Sequence, residues 1–122
     1  IALLQDKEKT IDNYILILFS ETSNYDVPLK RFYKHHFEKE KRKEMGSRWV
    51  NIVADNDLMI LSTIFSYKVA NAVTTHFYPM VFLTKEYIAH DGYTANILEH
   101  LDDNTKEKFG DQMHIVRNIY KK

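Results

Sequence analysis

Leu4, Ile11, Ile15 and Leu18 recur at spacings of seven, four and three residues, which predicts one apolar face of a first helix reaching residues 20–24. Asp26 then caps a second helix and Pro28 sits in its first turn, where the amide that proline lacks would have no partner. Leu29, Phe32, Tyr33, His36, Phe37 and Glu40 grade from apolar to polar along its inward stripe, and Gly46 ends it. Residues 55–57 read as the cap of a third helix, densely apolar through Leu58, Leu61, Ile64, Phe65 and Val69. Pro79 is expected to kink or restart that helix, since proline removes a ladder bond and disfavours helical geometry in the residue before it. A fourth segment runs to Asp91 with Gly92 as its cap, residues 94–101 form a short helix, and Asn104 caps a last one that Gly110 interrupts. The β-branched residues 69–75 lie in a long stretch without turn residues, so they are read as helical. The predicted fold class is all-α, a single-domain helical bundle over residues 1–122.

Composition narrows the chemistry more than the fold. At 122 residues the chain can enclose one core, and 44% hydrophobic content with 13% aromatics is that of a globular protein. No run approaches the roughly 20 apolar residues that cross a bilayer, so no membrane partner is expected and a cytoplasmic location is the default. Seventeen basic side chains balance seventeen acidic ones, which leaves no global field toward nucleic acid. The absence of cysteine excludes disulfides, thiolate-ligated metals and cysteine nucleophiles. No glycine-rich phosphate loop, serine nucleophile elbow or HExxH is present. The chain opens at Ile1 without an initiator methionine, which predicts that it is part of a longer protein.

The remaining candidates are histidines and carboxylates. His36 and Glu40 are four residues apart on the second predicted helix and can converge on one ion, or form an ordinary helix pair. His35 is placed outward. Glu86 and His90 repeat the spacing, Asp91 follows directly, and His76 lies fourteen residues before His90, close to four helical turns. If the helix continues through Pro79, three candidate ligands of this set can share a neighbourhood, or His90 and Asp91 can simply finish a helix. Glu21 points inward or ends solvated on a last turn. Residues 30–48 carry eight basic side chains against Glu38, Glu40 and Glu44, an excess of five positive charges. Such a run follows a phosphate backbone or, more commonly, forms a solvated helix face.

The stretch PMVFLTKEYIAHDGY, residues 79–93, resembles the middle helix of the heme-oxygenase-like diiron oxidase superfamily, where a proline leads into a Leu-Gly-x-x-Tyr-x-x-Glu-Gly pattern. YKHHFEKEKRK, residues 33–43, is similar to that family's second-helix ligand segment. The resemblance implies a heme-oxygenase-like bundle holding iron, and an iron-dependent oxidase or oxygenase acting on a small organic substrate. Asp91 would take the place of the middle-helix glutamate and Glu40 that of the second-helix acid, with His36, Glu21 and His90 as further ligands. Thr84 stands where the family has glycine, Lys43 stands where a ligand histidine is expected, and the final ligand helix would lie past Lys122, so the implied site is incomplete. Two other functions remain open. One is a non-catalytic helical protein-interaction module presenting Trp49, Tyr93 and Tyr120, and the other is weak nucleic-acid binding through the basic segment 30–48.

Overall fold

The computed structural model describes residues 2–19, 26–35, 38–66, 68–110 and 113–120, the side chains of residues 38–40 excepted. Among them the chain runs α1 (Ala2–Lys7), β1 (Leu16–Leu18), β2 (Phe32–Lys34), α2 (Glu38–Met45), β3 (Arg48–Ala54) and β4 (Leu58–Phe65). It continues through β5 (Lys68–Thr75), α3 (Tyr78–His100), α4 (Asp103–Lys108) and α5 (His114–Arg117). β1 and β2 pair in parallel, and β3, β4 and β5 form an antiparallel meander with β4 in the centre. The fold is therefore mixed α/β, which overturns the all-α bundle and the heme-oxygenase-like architecture.

The misreading has a local cause. Asp55 and Asn56 both adopt positive φ, 52° and 56°, and the Asp57 amide donates to the Ala54 carbonyl at 3.0 Å. Asp and Asn are the non-glycine residues that tolerate this geometry, and two successive left-handed residues make a tight hairpin turn rather than a helix cap. Ala54 is thereby set opposite Leu58. The second hairpin sets Phe65 opposite Lys68, with Ser66 at φ 47° and a bulge at Thr63/Ile64. Between the turns lies an eight-residue run, Leu58–Phe65, a length at which a buried strand and a helix segment share one apolar pattern.

The pairing register sorts the meander into two faces, because successive side chains alternate. Asn51, Val53, Met59, Leu61 and Thr63 share one face, while Val50, Ile52, Ile60, Ser62, Ile64 and Ala72 share the other. Helix α3 packs on the first: Thr84 Oγ1 donates to Met59 Sδ at 2.8 Å, and Met59 is 1% exposed. Val81, Ala95 and Leu98 are the other buried apolar residues of this 23-residue helix. Pro79 lies in its first turn, so the expected restart occurs there, although a strand and not a helix precedes it. The helix then absorbs both segments expected on either side of Gly92.

Gly92 is a point of close approach instead of a cap. A Cβ built on it would overlap Ile15 Cδ1 and lie 3.8 Å from Ile17 Cδ1, so the missing side chain lets β1 and the residue before it lie against the helix. The N-terminal segment is tied in by one hydroxyl. Tyr14 donates to the Glu8 carboxylate and accepts from the amides of Lys30, at 3.1 Å, and Arg31, at 3.4 Å. The bond from Tyr14 is the main reason the Glu8 carboxyl is held below its ordinary value. Burial, followed by that same bond, pushes the Tyr14 hydroxyl up. The Leu16 amide donates to Arg31 and the His35 amide to Leu18, closing the parallel ladder at both ends.

Two stop signals work as expected: Gly46, at φ 67°, follows α2, and Gly110, at φ 76°, follows α4. Asp102, not Asn104, caps α4, its Oδ1 accepting from the Thr105 amide at 2.8 Å. Pro28 opens no helix, since residues 26–29 are irregular and lead into β2. No helix among the described residues is long and apolar enough to cross a membrane.

Gly92→Leu is expected to drive Ile15 and Ile17 off the helix and cost about 1–3 kcal/mol, the usual range for overpacking. Gly92→Ala should be near neutral, because a helix-propensity gain of about 1 kcal/mol offsets displacement of the half-exposed Ile15 tip. Urea denaturation of both variants checks this; equal stabilities would show that the approach is not tight.

Candidate functional site

Four side chains from three segments meet beside the C-terminal half of α3. β2 ends at Lys34 and delivers His35, which is 8% exposed and stacked on Phe19 with ring centroids 3.9 Å apart. Its Nε2 lies 3.8 Å from Asp91 Oδ2, an ion-pair separation when the imidazole is protonated and too long for a direct hydrogen bond. Tyr87 stands one helical turn before Asp91, close enough for the two groups to influence each other's titration. Lys41 on α2 supplies the positive charge, its ammonium donating to Glu44 Oε2 at 2.8 Å. Glu44 in turn lies 3.6 Å from Arg117 Nη2 on α5.

Burial is the largest influence on Asp91 and raises its carboxyl above the ordinary value; Lys41, Tyr87 and His90 act the other way without cancelling it. Burial also raises the Tyr87 hydroxyl, with the Asp91 charge adding to it. The hydrogen bond to Glu44 raises Lys41. Chemically this is a carboxylate and an imidazole that can exchange charge, joining the end of β2 to α3, with Lys41 of α2 acting on the carboxylate through its charge. The hollow nearest the basic segment is elsewhere, lined by Arg42, Gly46, Ser47, Arg48, Ile64, Phe65 and Ser66 at the start of the meander.

Of the residues expected to ligate iron, the structure brings Asp91 into this cluster and leaves His90 exposed, its ring 5.9 Å from that of Tyr93. Glu21 and His36 lie outside the described residues, as does the side chain of Glu40, whose backbone belongs to α2. His76 precedes α3 instead of stacking four turns below His90, and its Nδ1 is 3.0 Å from Asp57 Oδ2 at the hairpin turn. Among the described residues no three His, Cys, Asp or Glu side chains group as a metal site. No family model, curated protein or solved structure matches this chain. The expected membership of the diiron oxidases is corrected accordingly, and neither a metal-binding group among the described residues nor a related family supports the metal-binding and oxidoreductase expectations.

His35, Tyr87 and Lys41 escaped the sequence reading. His35 is outward on a helix but inward once residues 32–34 are a strand, and only the Tyr87–Asp91 spacing of four could have signalled the pair. The basic run is also divided, between β2 and α2, and Lys41 is engaged with Glu44.

Because Asp91 holds its proton to higher pH when folded, the native state binds more protons than the unfolded chain just above the ordinary aspartate value of 3.8. This residue's contribution to stability therefore declines as pH rises through that window. Asp91→Asn removes the titration, so the variant should gain stability relative to the parent from pH 4 upward. Urea midpoints of the two proteins across that range check the sign, and a variant that loses stability relative to the parent as pH rises would contradict it.

Proposed function

We propose that this chain is a protein-interaction module whose binding surface is the sheet face turned away from α3. The observation that carries this reading is the exposure of aliphatic side chains on one regular surface. On that face Val50 is 37%, Ile52 48% and Val69 64% exposed, around the half-buried Ile60 and Ile64 of the central strand. Soluble monomers rarely leave a contiguous apolar patch of more than a few hundred Å² open, and such patches mark docking sites.

The total surface supports the same reading. The chain exposes 9709 Å², whereas a compact monomer of this mass exposes about 6,900 Å². Large apolar side chains account for part of the excess, Val50, Ile52 and Val69 on this face and Trp49 and Phe65 on the other. Arg48 at one corner is the face's charged residue, so a partner with an apolar surface is favoured over a polyanion.

A photo-crosslinking side chain at Ile52 or Ile60 tests the reading. The expected result is a discrete protein adduct whose yield is insensitive to salt and which Val50→Lys removes. Crosslinking no greater than from the exposed Lys85 on α3 would sink it, and a salt-sensitive nucleic-acid adduct would favour the basic segment instead.

A further inference from the structure

We infer that β5 pairs with β5 of a second copy of this chain, antiparallel about a two-fold axis, so that two three-stranded sheets become one of six strands. This goes beyond the docking face, because it uses the backbone edge of the meander and names its occupant. β5 bonds to β4 along one side, and among the described residues no strand lies along the other. Every residue from Lys68 to Thr74 is exposed, with Thr75 intermediate. An edge of this kind presents a row of backbone donors and acceptors over eight residues, about 27 Å at 3.4 Å per residue.

Proteins that stay monomeric guard such edges with proline, charged side chains such as lysine, bulges or very short strands, and on β5 the guards are confined to the Lys68 end. The sequence of β5, KVANAVTT, has no proline and no acid, and its single charge is Lys68 at the first position. The bulge lies at the Lys68 end and leaves the pairing from Asn71 to Thr75 regular. The other outer strand, β3, begins with Arg48 and adjoins α2.

The choice of a second copy follows from symmetry and charge. Antiparallel self-pairing about a two-fold axis sets each residue opposite one on its own face, so with Ala72 on the axis the two Ala72 residues meet and each Asn71 lies opposite the Val73 of its mate. The two Lys68 positions then stand about 27 Å apart, beyond two Debye lengths at physiological salt. With seventeen basic and seventeen acidic residues, the chain has no net charge to oppose its own association.

Sedimentation equilibrium tests the inference, the expected mass being twice the 14.5 kDa of one chain. Ala72 is exposed at the middle of the strand, so Ala72→Lys brings like charges to the axis and should weaken the dimer about a hundredfold, and Ala72→Glu should do the same. An equimolar mixture of the two variants should restore it, which a variant that merely fails to fold cannot do; circular dichroism of each confirms the fold. A parent chain that stays monomeric at every concentration overturns the inference and leaves the docking face to its own crosslinks. A dimer that survives Ala72→Lys but is lost on Ile52→Lys also overturns it, by assigning self-association to the sheet face.

Discussion

One helix has to hold two separate sheets. α3 packs on β1 and β2 and also on β3 and β4, and the close approach at Gly92 is what allows it. Helix–strand separation is set by the side chains between them, and here Gly92 faces the parallel pair while Thr84 faces the meander. Its fully buried stripe is narrow, with Val81, Gly92, Ala95 and Leu98 inside and Leu83, Tyr93 and Ile97 left more than half exposed. A helix with apolar residues around most of its circumference belongs in a setting covered on more than one side. That expectation and the excess surface of the chain have one origin: a single long helix offers each sheet one stripe.

The polar cluster occupies the same seam. Asp91 directly precedes Gly92, so the carboxylate sits at the level where the helix is most closely approached and is desolvated as a result. Burial of a charge is costly unless it is paired, and His35, Tyr87 and Lys41 supply the partners from three different segments. The His35–Asp91 pair links the end of β2 to α3. Its 3.8 Å His35–Asp91 separation, the half-exposed Tyr87 ring and the absence of a third carboxylate or imidazole among the described residues favour an anchoring role over a reactive one.

The docking face and the β5 edge follow from what α3 cannot reach. A three-stranded sheet has two faces and two edges, and α3 covers part of one face. β5 lies at the margin, so its side chains are exposed on both faces and its backbone is open along one side. An aliphatic face such as Val50, Ile52, Ile60 and Ile64 is stabilised by roughly 25 cal/mol for each Å² of apolar surface taken from water. The described residues cover that face only in part, burying Ser62 and leaving Val50, Ile52 and Val69 exposed, which is why the face reads as an association surface rather than as scaffold.

The signals legible in the sequence were those that act within a few residues. Gly46 and Gly110 follow helices because a left-handed residue closes a last turn, and Pro79 starts α3 because a first turn needs no amide from it. Asp91 stood out through its apolar surroundings, and it is indeed partly buried. What only the tertiary structure decided was whether residues 48–75 bond to themselves or across a sheet. A helix carries its hydrogen-bond partners four residues away, whereas the partner of Trp49 is Thr63 and that of Met59 is Thr75. A short apolar run does not encode that choice. Once the meander forms, Asp55 and Asn56 become a turn, His35 points inward, and Gly92, expected to stop a helix, becomes the place where the helix meets a strand.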